Sequence, residues 1–378
     1  MFGKVFFGSC CIWVFMFVII TGSALAQQTF NISGKVSDNQ GVLPGATVFL
    51  TGTKEITATN EYGNFQFKKI PPGNYQLIVK MMGFNPFLRS ITVTEESVTL
   101  KVILEAHIQQ LSEVFIKPDK EWFKNLEIFK KQFLGENENA QQCKILNAER
   151  ISLIYNKKTH ILKASSNDLL KIENKRLGYQ LTYLLANFEY NKSNNRVVYN
   201  GYPSFQSLKG DAQQEAIWRA NRKMAYEGSI QNFLRAAYQN DLKEQGFIVY
   251  KLYDWVAGGA GYKKVINSAV YQMNIAGDTL MTVINKSFKK LTSKNALFVL
   301  YLKHGEDEKY KEAGYSLSQL YTDKRLETGQ TSVINFLSAG VAVDSKGAFF
   351  KPQDLFFEGY MGWQKVSNLT PLGYDPEE

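Results

Sequence analysis

The sequence predicts an N-terminal all-β sandwich of about seven strands, followed by an α+β domain with mostly antiparallel sheet and at least two helices. Three observations predict this. Residues 29–106 alternate turn residues with short runs in which every second side chain is apolar. Later in the chain, apolar side chains recur at spacings of three and four residues, the period of a helix. The strand patterns there are joined by connections too short for crossover helices.

The strands of the first part are delimited by residues that favour turns. Apolar runs follow Gly34-Lys35-Val36 at 46–50, 65–67, 75–79, 91–93 and 98–104. Between them lie turn sequences at 38–41, 60–63 and 71–73, in which proline fixes φ and glycine or asparagine permits positive φ. About seven strands in about 75 residues is the density of a small β-sandwich.

The order and spacing of these residues resemble the carboxypeptidase-regulatory-like domain, a transthyretin-like sandwich. The resemblance rests on Gly34, Pro44-Gly45-Ala46, Gly63-x-Phe65-x-Phe67, Pro72-Gly73-x-Tyr75 and Met82-Gly83-Phe84. In that family the sandwich accompanies catalytic domains or precedes outer-membrane receptors, especially those of the starch-utilisation type in Bacteroidota, and has no active site. The resemblance implies a Bacteroidota envelope protein with a binding or folding role, and we assign the domain to residues 27–116.

Residues 1–26 have the pattern of a secretory signal peptide, with Lys4, an apolar run from Cys10 to Ile20, and Ala24-Leu25-Ala26 before Gln27. A membrane anchor is the alternative, but the apolar run of about 11 residues is shorter than the roughly 20 that a spanning helix needs. We expect cleavage after Ala26, export to the periplasm or cell surface, and no transmembrane span in the mature chain.

The excess positive charge lies in the second domain, residues 117–378. The formal net charge is +9, and residues 27–116 contain as many acidic as basic side chains. A basic domain attracts polyanions, which outside the cytoplasm are acidic glycans or anionic lipid head groups. The sequence shows no nucleic-acid recognition motif.

The second domain is predicted to begin with a helix that Asp119 caps and Gly135 ends. Its apolar face is formed by Trp122, Leu126, Phe129 and Phe133. We interpret this face as docked on the helix's own domain; a helix that binds a membrane surface or a partner is the alternative.

Hairpins are predicted at 151–155 with 160–164 and at 179–190 with 196–199. A long helical stretch follows from Asp211 to about 245, which Gly228 would divide and Gly246 would end. Its basic residues form either a ridge for an anionic ligand or a solvated face; they are Arg219, Arg222, Lys223 and Arg235. Further strands are predicted at 247–253, 264–275, 279–284, 296–302, 341–343, 348–350 and 355–357.

The chain lacks the sequence motifs of the common hydrolases. None of the three histidines, His107, His160 and His304, begins an HxxE or HExxH zinc motif, although convergence of all three stays an alternative. The mature chain keeps only Cys143, which we expect to be a buried small hydrophobe because no histidine is nominated as its partner.

Three further motifs are incomplete. The segment Gly314-Tyr315-Ser316-Leu317-Ser318 lacks the second glycine of a nucleophile elbow. Gly258-Gly259-Ala260-Gly261, followed by Lys263-Lys264, lacks the spacing of a phosphate-binding loop. Glu306-Asp307-Glu308 could supply a carboxylate pair for glycoside hydrolysis, but we expect a solvated turn.

We therefore predict an exported, non-enzymatic envelope protein with a binding or assembly role and no cofactor or bound metal. Its partner would be a glycan, an anionic lipid or an outer-membrane protein, and not a nucleic acid. The alternative is an envelope hydrolase, acting on glycan or peptide, with a carboxylate pair in the C-terminal domain. If the chain is a binding protein, we expect a site of aromatic and basic side chains. If it is a hydrolase, we expect titratable groups that converge in one pocket.

Overall fold

The structure is a computed structural model that describes residues 29–107, 119–252, 275–317, 328–349 and 351–377. The predicted signal peptide, the boundary at residue 116 and the glycine-rich loop at 258–261 lie outside these residues, as does nearly all of the strand predicted at 264–275. None of the described helices is long and apolar enough to cross a membrane.

The N-terminal part contains seven strands, and the prediction of an all-β sandwich is confirmed. They are β1 (Phe30–Ser37), β2 (Thr47–Leu50), β3 (Ile56–Ala58), β4 (Asn64–Ile70), β5 (Gly73–Lys80), β6 (Phe87–Val93) and β7 (Val98–Ile103). One sheet has the order β4-β1-β7 and the other β3-β2-β5-β6. The pairing of β1 with β7 is parallel, and the other pairs are antiparallel.

Alternating side chains of these strands fill the space between the two sheets. Ile32, Val48 and Leu77 are fully buried there, as the apolar alternation predicts. Gly34 lies in the central strand β1, where a β-carbon would sit 2.5 Å from the carbonyl oxygen of Leu100. Only glycine fits there without displacing a neighbouring strand, which explains its place in the motif.

The second part is α+β with antiparallel sheets, as predicted. Its first half contains α1 (Lys120–Leu134), α2 (Glu138–Gln141), β8 (Cys143–Ile145), β9 (Ser152–Asn156), β10 (Ile161–Ser165), β11 (Leu170–Asn174), β12 (Tyr179–Asn191), β13 (Arg196–Ser207), α3 (Ala212–Tyr226) and α4 (Ile230–Gln239). Strands β8-β11-β12-β10-β9 form a sheet in that order, and β13 pairs with β12.

The second half contains two smaller sheets. Its elements are β14 (Phe247–Leu252), α5 (Gly277–Leu280), β15 (Met281–Val283), β16 (Phe288–Leu291), β17 (Ala296–Tyr301), α6 (Glu308–Glu312), β18 (Gln330–Phe336), β19 (Val341–Asp344), β20 (Leu355–Gly359) and α7 (Tyr360–Trp363). The sheet orders are β14-β17-β18-β20 and β15-β16-β19. The segment predicted as a strand at 279–284 therefore begins as a short helix, and 348–349 forms only an isolated bridge with β19.

Helix α1 has the predicted ends and packs on its own domain. The Asp119 carboxylate accepts a hydrogen bond from the Trp122 backbone N–H at 2.7 Å, and Gly135 follows the last turn with φ of 107°. Trp122, Phe129 and Phe133 are buried against the six-stranded sheet. The interpretation of α1 as a docked helix is confirmed.

The long helical stretch consists of two helices that are separated at Gly228, where φ is +76°. The Asp211 carboxylate caps α3 as predicted. Helix α4 ends at Asn240, which adopts the left-handed conformation and caps two helix carbonyls, so the predicted end at Gly246 is wrong.

The sandwich packs directly on the second part. Phe49 and Ile78 are fully buried in a cluster with Leu184 of β12. The Gly52 N–H donates to the Pro203 carbonyl of β13 at 2.6 Å, and the Gly52 carbonyl accepts from the Leu372 N–H at 2.6 Å. The sandwich therefore contacts both the six-stranded sheet and the segment 366–377.

Candidate functional site

The three histidines lie in different surroundings, and none pairs with another. His107 hydrogen-bonds Asn85 at 2.8 Å, His160 the Tyr155 hydroxyl at 3.2 Å, and His304 the Glu227 carboxylate at 2.5 Å. Within the described ranges, no group of three or more His, Cys, Asp or Glu side chains could hold a metal ion. The geometry therefore offers no support for the alternative that the three histidines converge.

Cys143 lies in β8 and packs against the core beneath the six-stranded sheet. Burial raises the pKa of its thiol to about 12. The thiolate is the reactive form of cysteine, so this residue is a weak nucleophile at neutral pH. Cys143 therefore packs as a small hydrophobe, as predicted, although it is partly rather than fully buried.

The expected solvated turn at 306–308 is wrong for Glu306, which is buried. Its carboxylate accepts hydrogen bonds from the Ser316 hydroxyl and from the Thr331 N–H and hydroxyl, the latter two at 3.1 and 2.7 Å. These donors compensate the cost of burying a carboxylate. Ser316 is also buried, so the two candidate residues do meet, in a packed interior position.

The basic side chains of α3 and α4 form neither a ligand ridge nor a uniformly solvated face. Arg222 is 8% exposed, and its guanidinium donates to the Leu177 and Gly178 carbonyls at 2.7 and 3.3 Å. Arg235 donates to the Tyr374 carbonyl at 2.9 Å, while Arg219 is exposed. Neither interpretation holds for Arg222, because its guanidinium is hydrogen-bonded to the turn between β11 and β12.

Aromatic and lysine side chains gather where the end of α1, the β12–β13 hairpin and the segments around α6 and α7 meet. We call this group the aromatic–lysine cluster. It consists of Lys131, Tyr190, Tyr199, Tyr315, Trp363 and Lys365, all partly or largely exposed. The sequence predicts aromatic and basic side chains at a binding site, but its local patterns do not identify these residues.

The hairpin places two tyrosines beside α1. Phe188 pairs with Tyr199 across the hairpin, and Tyr190 lies two residues farther along the same face. The Tyr199 ring meets the Phe133 ring of α1 edge-on, with 5.5 Å between centroids. Because Phe133 is fully buried, the Tyr199 ring rests on a rigid support.

Tyr315 and Trp363 are held by a buried tyrosine between them. The Tyr310 ring lies 6.0 Å from the Tyr315 ring and 5.3 Å from the Trp363 ring, centroid to centroid. Tyr360 packs edge-on against Tyr310 at 5.3 Å. Such ring contacts restrict the two exposed rings to one arrangement, which lowers the entropic cost of binding a ligand.

The two lysines of the cluster differ in their partners. The Lys131 ammonium forms an ion pair with Glu136 at 2.9 Å, and hydrogen bonding to this carboxylate raises the pKa of Lys131. Electrostatic interaction with Tyr315 and Tyr190 also raises the pKa of Lys131. The Lys365 ammonium donates to the Gly362 carbonyl at 2.6 Å, and burial lowers its pKa to about 8.

Comparison with known proteins places the N-terminal part in a family. Residues 32–116 match the model of the CarboxypepD_reg-like domain, which confirms the resemblance found in the sequence. The chain is also 31% identical over 102 residues to the TonB-dependent transporter Oar of Myxococcus xanthus. This match covers 25% of the chain and 10% of the transporter, so the chain spans about a tenth of that relative's length.

The similar solved structures have low TM-scores. A type II cohesin–X-dockerin complex from Acetivibrio cellulolyticus gives a TM-score of 0.20 at 18% identity, over 22% of this chain and 62% of that one. The major pilin subunit of Bacillus cereus gives a TM-score of 0.19 at 10% identity, over 83% of this chain and 95% of that one. These likenesses carry no argument about function, and the Bacteroidota setting and the signal peptide stay predictions.

Proposed function

We propose that the chain is an exported, non-catalytic envelope protein that binds a glycan through the aromatic–lysine cluster. In this proposal the sandwich of residues 27–116 supports a binding domain of residues 117–378. The observation that carries the proposal is the convergence of partly exposed, mutually supported tyrosine and tryptophan rings with two lysines from distant parts of the chain.

The composition of the cluster favours a sugar polymer over the other partners. The flat faces of Tyr315 and Trp363 suit the C–H face of a pyranose ring, while tyrosine hydroxyls and lysine ammonium groups can bond sugar oxygens. None of the six members is aliphatic, whereas insertion into a lipid surface relies on leucine- or phenylalanine-rich faces. An outer-membrane protein partner is the competing outcome of the test below.

The placement of the candidate catalytic residues supports a binding role. The Glu306 carboxylate is occupied by three donors, and the raised pKa of Cys143 leaves little thiolate. The family matched by the N-terminal part and the similarity to a TonB-dependent transporter support an envelope location. The leader pattern at residues 1–26 supports export.

The test is affinity electrophoresis of the protein lacking residues 1–26 in gels containing neutral or acidic polysaccharides. The panel is glucan, mannan, xylan, alginate and polygalacturonate. We expect retardation by at least one of them, lost in Tyr315→Ala and Trp363→Ala. Tyr62→Ala is the matched control, because Tyr62 is 68% exposed and lies in the sandwich.

Retardation that survives both cluster substitutions would place the binding site elsewhere and overturn the proposal. Absence of retardation across the panel, together with capture of an outer-membrane protein by the same cluster, would replace glycan binding with an assembly role. Release of reducing ends from a retarding polysaccharide would establish the hydrolase alternative instead.

A further inference from the structure

We propose that Lys365 receives an anionic substituent, carboxylate or sulfate, on a sugar of the bound glycan. This inference rests on the proposed function and names its ligand class as an acidic polysaccharide.

Lys365 is a partly buried cation with one hydrogen-bond acceptor among the described residues. Its ammonium has three donors, and the one hydrogen bond seen goes to the Gly362 carbonyl at 2.6 Å. The ammonium lies 6.0 Å from the centre of the Tyr199 ring, which offers a weak attraction. Across the parts of the chain that the structure describes, no carboxylate lies within 4.0 Å of it.

Two other constrained lysines, Lys131 and Lys346, have acidic neighbours. Lys171 and Lys289 instead donate to uncharged groups, the Thr182 hydroxyl and the Tyr238 carbonyl. Lys131 pairs with Glu136 at 2.9 Å. Lys346, also partly buried, lies 4.6 Å above the Tyr75 ring and is stabilised by the charge of Asp344. Burial of a cation is unfavourable unless it is paired, so the position of Lys365 favours an anion supplied from outside.

The backbone on both sides of Lys365 is fixed. On one side, Trp363 is held in the ring contacts described above. On the other, the Ser367 carbonyl accepts from the Asn174 side chain at 2.8 Å, and the Ser367 hydroxyl contacts Asn137 at 3.2 Å. The Lys365 stem also lies close to Gly135 at the end of α1. The ammonium is therefore preorganised beside the exposed rings.

Calorimetric titration tests the inference. The ligands are oligogalacturonate, a sulfated galactan oligosaccharide and a neutral galactan oligosaccharide of equal length, and the proteins are wild type, Lys365→Met and Lys346→Met. We expect Lys365→Met to lower the affinity for an acidic ligand at least tenfold and to leave the affinity for the neutral ligand unchanged. Lys346→Met is the matched control and should change neither affinity.

The outcomes separate the two proposals. A preference for oligogalacturonate identifies a carboxylate as the anion, and a preference for the sulfated ligand identifies a sulfate. Equal binding of neutral and acidic ligands, unaltered in Lys365→Met, would overturn this inference and leave the proposed function standing. Failure of every glycan to bind would overturn the proposed function as well.

The pH dependence provides a second readout. Lys365 faces the ring of Tyr199, whose pKa is raised by burial. Its stem lies close to Gly135, which precedes Glu136 of the Lys131–Glu136 ion pair. Because burial lowers the pKa of Lys365 to about 8, affinity for the acidic ligand should fall about tenfold per pH unit above this value. Lys365→Arg, which stays charged, should bind without that decline. A wild-type affinity that is flat from pH 7 to 9.5 would contradict the inference.

Discussion

Replacing Arg222 by methionine should destabilise the protein strongly, although the change keeps most of the apolar stem. Arg222 lies on α3, and its guanidinium bonds the Leu177 and Gly178 carbonyls at the turn between β11 and β12. The guanidinium also lies 4.2 Å above the Tyr179 ring. The substitution removes all three interactions and leaves the Leu177 carbonyl buried without this donor.

The magnitude follows from these contacts. A hydrogen bond from a charged donor contributes about 1.5–3 kcal/mol, and the 2.7 Å bond to Leu177 belongs to this class. The longer bond to Gly178 contributes less, because the Leu208 N–H also donates to that carbonyl. A buried cation–π contact adds about 1–2 kcal/mol. Relief from burying a cation offsets part of the sum, so we expect a loss of about 2–4 kcal/mol.

Urea denaturation of the protein lacking residues 1–26, followed by tryptophan fluorescence, measures this loss as a shift in midpoint at unchanged slope. Arg219→Met is the control, because Arg219 is exposed on the same helix and should change stability by less than about 0.5 kcal/mol. Arg222→Lys should recover only part of the loss, since an ammonium cannot reproduce the guanidinium fork. Equal midpoints for the two methionine variants would refute the reasoning.

Three further predictions concern packing and reactivity. Phe133→Ala should cost about 3–5 kcal/mol in the same denaturation experiment, whereas Phe123→Ala, at a position 56% exposed on the same helix, should cost little; similar losses would contradict the assigned helix face. Gly34→Ala should destabilise by about 1–3 kcal/mol because its β-carbon would meet a backbone oxygen, whereas Gly41→Ala has open space around it and should be neutral by calorimetry. The Cys143 thiol should react slowly with a disulfide reagent at pH 8 and rapidly in urea, because burial raises its pKa; fast reaction of the native protein would show that it is accessible.

The sequence was most informative where local patterns determine the structure. In the sandwich, strand alternation and turn residues sufficed, because each strand buries one face and each turn needs particular φ values. In α1, the Asp119 cap, the aromatic stripe and Gly135 specified a helix end to end. These features depend on residues within about four positions of one another.

The sequence was misleading where the burial of a charged side chain depends on hydrogen-bond partners far away in the chain. Glu306 stands among charged residues, but its carboxylate is buried because Thr331, 25 positions away, supplies two donors. Arg222 is buried because a turn about 45 residues earlier presents carbonyls to it. No local pattern distinguishes such residues from solvated ones.

The sequence predicted the residue types of the aromatic–lysine cluster but not its individual members. Its members extend from Lys131 to Lys365. Tyr190 and Tyr199 belong to one predicted hairpin, and Trp363 and Lys365 are two residues apart, but the other members come from distant segments. Their proximity results from the packing of α1, the hairpin and α7, which sequence periodicity does not encode. From the sequence, we could therefore predict only that a binding site would contain aromatic and basic side chains.

The segment 366–377 bears on how the chain reaches its native state during synthesis. It contacts the sandwich through Leu372, α4 through Pro371 and Tyr374, and β11 through Ser367. A nascent chain grows at about 5–20 residues per second, so the sandwich can form long before these contacts are available. Until this segment has been synthesised, the hydrogen bonds that join it to the sandwich, to α4 and to β11 cannot form, although the contacts of the sandwich with β12 and β13 can.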